Sequence, residues 1–85
     1  MSKEEKLIQK LLSLPKDFTF DELSVLLRRL GFELSNKGAT SGSRVAFINK
    51  KTKDVIRVHK PHPQKEVNIS ALKEVRDILK EKNYI

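Results

Sequence analysis

Apolar residues follow two rhythms along this chain, and the places where the rhythm changes divide it into elements. Leu7, Ile8, Leu11 and Leu12 recur at helical spacing behind Ser2-Lys-Glu-Glu5, which has the spacing of a capping box, and Pro15 ends the run. A first helix is expected there. Thr19-Phe-Asp-Glu22 repeats the capping box, with Phe18 and Leu23 at staple positions. Phe20, Leu23, Leu26, Leu27 and Leu30 then carry the stripe to Gly31, a helix-stop residue. This predicts a second helix. From Phe32 the period becomes two: Phe32 and Leu34, then Val45 and Phe47, then Ile56 and Val58, each set bounded by turn residues. These are three short strands, the last two joined by the polar hairpin loop Asn49-Lys-Lys-Thr-Lys-Asp54 and the first two by Gly38 to Ser43. Beyond Pro61 and Pro63, Ile69, Leu72, Val75, Ile78 and Leu79 return to helical spacing, with Asn68 or Ser70 as cap.

The order α-α-β-β-β-α predicts an α+β fold, with a three-stranded antiparallel sheet and helices on one face only, because strands apolar on one side need one covering layer. The other face stays open. At 85 residues the chain is expected to be a single domain, residues 1–85, and any cleft in so small a core must be shallow. Large substrates suit it better than enclosed small ones.

Charge narrows the partner. Eighteen Lys and Arg against eleven Asp and Glu give a net charge of +7, which favours a polyanion, nucleic acid before a membrane surface. No segment is apolar for the ~18 residues a membrane span requires, and no signal-like apolar region follows the start, so a cytoplasmic location is expected. The absence of cysteine excludes disulfides, thiol catalysis and thiolate zinc sites. No cofactor is implied, and a monomer is favoured.

Candidate chemistry gathers after the third strand. His59-Lys-Pro-His-Pro63 holds both histidines, and Lys60 and His62 each precede a proline, which pushes them toward extended geometry. Three residues of polyproline helix advance about 9 Å and make one turn, so both imidazoles would face one side. Two such groups could act as base and acid when an RNA 2′-hydroxyl attacks its own phosphate, without a metal, while Arg57, Lys60 and Lys65 stabilise the developing charge. Alternatively, the two histidines merely cap a turn. A metal site is disfavoured, since Glu66 is the sole carboxylate near them. Lys50, Lys51 and Lys53 form either a solvated hairpin tip or a phosphate-contacting loop. Tyr84 and the four phenylalanines are not interleaved among the basic residues, which favours recognition through backbone and shape over base stacking.

Four stretches together resemble the HicA toxin family: Glu22-Leu23 to Gly31-Phe-Glu-Leu34, Gly42-Ser43 ahead of a strand through Phe47, His59-Lys-Pro-His-Pro63, and Asn68 to Leu79. The resemblance covers residues 18–82 and leaves the helix within 2–14 as an addition, with Pro15-Lys-Asp-Phe18 like the lead-in of a longer-headed subgroup. It implies a fold of the double-stranded-RNA-binding type, messenger-RNA interferase activity and a HicB antitoxin as partner. Gly42 and Ser43 would then bring backbone against RNA phosphate. The family's catalytic histidine directly follows that Gly-Ser pair, and here the position is Arg44. An arginine stays protonated and cannot act as a base. The resemblance therefore implies that the histidine role has moved to His59 or His62, or that Arg44 replaces it by stabilising charge. A binding module without cleavage and a protein-interaction adaptor using the first helix are the alternatives.

Overall fold

The structure, a computed structural model, describes residues 3–35, 44–59 and 65–85. Ser2, Gly42, Ser43, Lys60 and His62 lie outside the described residues. The order of elements is α1 (Lys3–Leu12), α2 (Phe20–Arg29), β1 (Glu33–Ser35), β2 (Arg44–Asn49), β3 (Asp54–His59) and α3 (Ile69–Glu81). This is the α+β order expected from the hydrophobic pattern. The strands form one antiparallel sheet in the order β1-β2-β3.

Helices α2 and α3 each have an identifiable start and stop. Thr19 caps α2 reciprocally: its hydroxyl accepts from the Glu22 amide at 3.1 Å, and the Glu22 carboxylate accepts from the Thr19 amide at 3.0 Å. Asn68, rather than Ser70, caps α3, its side-chain oxygen accepting from the Ser70 amide at 2.7 Å. Both α2 and α3 close with a full Schellman motif. At the end of α2, the Phe32 amide donates to the Leu27 carbonyl at 2.9 Å and that of Gly31 to Arg28 at 3.1 Å, with Gly31 at φ 102°. At the end of α3, the Tyr84 amide donates to Leu79 at 2.8 Å and that of Asn83 to Lys80 at 3.1 Å, with Asn83 at φ 65°. Phe32 thus belongs to the helix stop, and β1 begins one residue later than its alternation suggests.

The core lies between the helices and one face of the sheet. Leu7 and Leu11 of α1, Leu23, Leu26 and Leu27 of α2, Phe47, Ile56 and Val58 of the sheet, and Leu72, Val75 and Leu79 of α3 form one buried cluster. Val55, Arg57 and His59, the alternate residues of β3, are exposed, so the helices cover one side only. Leu12 and Ile69 sit at the margins of their stripes and remain 43% and 38% exposed.

Two ties hold the pieces in register. The first joins α1, α2 and the segment before α3. Lys10 reaches Glu22 at 2.8 and 3.0 Å, while Thr19 and Glu66 form an antiparallel bridge. The Val67 amide donates to the Phe18 carbonyl at 2.7 Å and the Phe20 amide to Lys65 at 2.9 Å. The Lys10 ammonium, held chiefly by the Glu22 carboxylate, titrates above its ordinary value. Burial pulls the Glu22 carboxyl upward, but Lys10 and the Thr19 amide together keep it below the usual range.

The second tie joins the residues after α3 to the β2–β3 hairpin. The Tyr84 ring lies 5.0 Å from that of Phe32, centroid to centroid, and tilted by 54°. Its hydroxyl accepts from Asn49 Nδ2 at 3.0 Å, donates to Asp54 Oδ2 at 2.7 Å, and lies 2.8 Å from the Thr52 hydroxyl. Asn49 is buried, and its Oδ1 accepts from the Lys51 and Thr52 amides at 3.0 and 3.3 Å. Lys82 completes the cluster at 3.0 Å from Asp54 Oδ1. The donors from Tyr84, Thr52 and Lys82 lower the Asp54 carboxyl from 3.8 to about 2.

Leu26→Ala is expected to lower stability by about 2–5 kcal/mol in a denaturant titration, because the side chain is fully buried in α2. A loss well under about 1 kcal/mol would mean that Leu26 is not a core residue. Asp54 contributes to acid stability. A carboxyl depressed in the fold stabilises it above the unfolded pKa, and that contribution disappears as pH falls from 3.8 toward about 2. Melting temperature should therefore fall more steeply over that window in the native protein than in Asp54→Asn. Parallel curves would remove Asp54 from the balance.

Candidate nucleic-acid interface

The open face of the sheet is built by register. Arg44 pairs with His59, Ala46 with Arg57, and Ile48 with Val55, and directly opposite residues in an antiparallel pair share a face. His59 and Arg57 are exposed there, and position 44 is paired with His59 at one end of the β2–β3 hairpin. The register brings together three residues that the sequence spreads over 44 to 59. Val55 is 42% exposed and lies, with its partner Ile48, at the far end of the same face.

A cleft of about 300 Å³ opens where β3 meets α3, lined by Arg57, Val58, His59, Ala71 and Glu74. That is the lower end of ligand-pocket volumes, as expected for so small a core. Glu74 is the cleft residue that sequence reasoning did not single out. In the sequence it is an ordinary charged position on a helix, and only the packing of α3 beside β3 brings it to His59.

The hairpin lysines occupy the other end of the sheet. Lys50, Lys51 and Lys53 are all exposed on the loop between Asn49 and Asp54, with Lys53 at φ 66°. At ~3.3 Å per strand residue, the loop stands about 17 Å from the 44–59 pair. These two basic groups are not one site but the two ends of one face. Lys50 contacts Glu33 of β1 at 3.2 Å, an exposed pair of the kind that contributes ~0–1 kcal/mol. Lys65 is elsewhere, exposed, with its carbonyl accepting from Phe20 at the start of α2. Gly42, Ser43, Lys60 and His62 lie outside the described residues.

Among the described residues, no group of three His, Asp or Glu side chains is arranged to hold a metal ion. No helix among them is long and apolar enough to cross a membrane.

Comparison with protein families matches residues 20–81 to the family described as HicA toxin of bacterial toxin-antitoxin. The match runs from the first residue of α2 to the last of α3, and therefore takes in the whole sheet and leaves α1 and Tyr84 outside. No curated protein and no solved structure matches the chain. Because the matched residues make up most of the chain, the chain belongs to the HicA family of toxins from bacterial toxin–antitoxin systems.

Proposed function

We propose that this toxin binds RNA across the open face of its sheet and cleaves messenger RNA by transesterification. The observation that carries the reading is the cross-strand pairing of Arg44 with His59. The resemblance puts the family's catalytic histidine at position 44, and paired residues on one face have Cα atoms only ~4.5–5.5 Å apart. An imidazole at 59 can therefore reach the same phosphodiester from the neighbouring strand. In this scheme an imidazole takes the proton from the 2′-hydroxyl, the 2′-oxygen attacks phosphorus, and the bond to the 5′-oxygen breaks. A second acid protonates the leaving oxygen, which yields a 2′,3′-cyclic phosphate and a 5′-hydroxyl. His59 and His62 are the acid–base pair, while Arg44 and Arg57, aided by Lys60 and Lys65, stabilise charge on the phosphorane. Gly42 and Ser43 approach the phosphate backbone, and Lys50, Lys51 and Lys53 hold the strand at the other end of the sheet.

The sheet backed by helices supports recognition of the double-stranded-RNA-binding type. The chain acts in this reading as one cytoplasmic, monomeric domain over 1–85, with residues 18–82 as its working core and a HicB-like antitoxin as its partner. Arginine at position 44 favours one second reading, a module that binds RNA without cutting it.

Binding is tested by salt. Four to six phosphate contacts predict a fall in RNA affinity of about 50-fold to 300-fold between 50 and 200 mM salt, and a flat response rejects the polyanion reading. Replacing Lys50, Lys51 and Lys53 together by Ala should weaken binding without unfolding the domain. Unchanged affinity would remove the hairpin from the interface.

Chemistry is tested by the imidazoles. His59→Ala or His62→Ala should slow cleavage by about 10²-fold to 10⁴-fold with RNA affinity nearly unchanged, and the native rate should vary between about pH 5 and 8, where imidazoles titrate. Arg44→Ala should cost about 10²-fold to 10³-fold. Cyclic phosphate ends identify the reaction. Native protein that binds RNA and leaves it intact across that pH range would leave the binding-module reading standing.

A further inference from the structure

The hairpin that carries Lys50, Lys51 and Lys53 is closed by the Lys53 amide, which donates to the Asn49 carbonyl at 2.8 Å, and it is also tied to the residues after α3. Its loop amides at 51 and 52 are gathered by Asn49 Oδ1, and the Asn49 side chain is in turn held through Nδ2 by the Tyr84 hydroxyl at 3.0 Å. The far side of the loop is held by the same oxygen, which donates to Asp54 at 2.7 Å and lies 2.8 Å from the Thr52 hydroxyl. Thr52 also donates to Asp54 at 2.7 Å, closing the ring of contacts. One phenolic oxygen therefore meets three loop residues. Tyr84 is itself fixed by the Schellman turn through Asn83 and by the Phe32 ring, and it lies outside the residues matched to the family.

We propose that Tyr84 is a positioning residue for RNA: its hydroxyl holds the 50–53 loop in one conformation, so that the three lysines meet phosphates without first being ordered. The inference rests on the reading of the hairpin as an RNA contact. Ordering a loop during binding subtracts from affinity, and a loop ordered beforehand avoids that cost. Asn49 carries the coupling. It is buried, and removing the Tyr84 hydroxyl leaves its Nδ2 group without that acceptor, which weakens the hold on the side chain whose Oδ1 gathers the loop amides.

Tyr84→Phe tests this, because the ring and its contact with Phe32 survive and only the oxygen is lost. The readouts are amide hydrogen exchange and the affinity for a fluorescent single-stranded RNA of about 12 nucleotides, long enough for sites of this kind. Exchange at the Lys51 and Thr52 amides should accelerate, and RNA affinity should fall by about 3-fold to 10-fold at low salt. The same substitution in a Lys50, Lys51 and Lys53 triple-alanine background separates positioning from general stability. There it should still lower the melting temperature but change RNA affinity no further. Equal affinity losses in both backgrounds, or unaltered exchange at residues 51 and 52, overturn the proposal. Full RNA affinity in the triple-alanine protein alone would instead sink the hairpin reading, and the positioning role with it.

Discussion

The start of α2 is the junction on which the fold depends. Glu22 serves two partners at once, returning to the Thr19 amide as the reciprocal cap and receiving Lys10 from α1. Thr19 meanwhile pairs with Glu66, and the flanking Phe18 and Phe20 exchange backbone hydrogen bonds with Val67 and Lys65. An ordinary cap satisfies amides at a helix end and contributes about 1 kcal/mol. Here the same residues also join α1 and the segment entering α3, so three parts of the chain share one anchor. Lys10 lies 5.7 Å from the Phe18 ring centroid, which keeps its ammonium over the junction.

A net charge of +7 opposes compaction, and the charges are distributed so that part of that repulsion is offset. Acidic residues occupy the first turns of α1 and α2, and basic residues the last turns of all three helices, as the helix dipoles favour. Lys10 and Lys82 are neutralised by Glu22 and Asp54. The helical layer thus uses its charges to stabilise itself. The open sheet face and the hairpin tip keep most of theirs facing water, where a polyanion can neutralise them.

Helices were the most legible part of the fold. Thr19 and Glu22 stand three apart, Gly31 follows the leucine stripe, and both signals act through local backbone geometry that a sequence displays directly. The strands were legible from Phe47, Ile56 and Val58, whose alternation survives as burial. Phe32 misled by one residue because the C-terminal contact of a helix and the first inward residue of a strand ask for the same apolar side chain. Tyr84 and Val67 were overlooked as structural residues, since their partners lie far away in sequence and no periodic pattern includes them. The candidate site was half legible. His59 and Arg57 were singled out by residue type and Arg44 by its place after Gly42-Ser43, but their adjacency is a matter of strand register, and the presence of Glu74 depends on how α3 settles against β3.

Gly31 carries a further consequence. A Cβ at this position would stand 3.1 Å from Asn49 Nδ2, on backbone at φ 102° that a side chain rarely adopts. The end of α2 and the root of the hairpin are thus fitted to each other, although eighteen positions separate them. A side chain at residue 31 would press on the Asn49 amide, which must give by a few tenths of an ångström to admit it, and that amide is the group that organises the loop. The space open to residue 31 is therefore set by the side chain at 49.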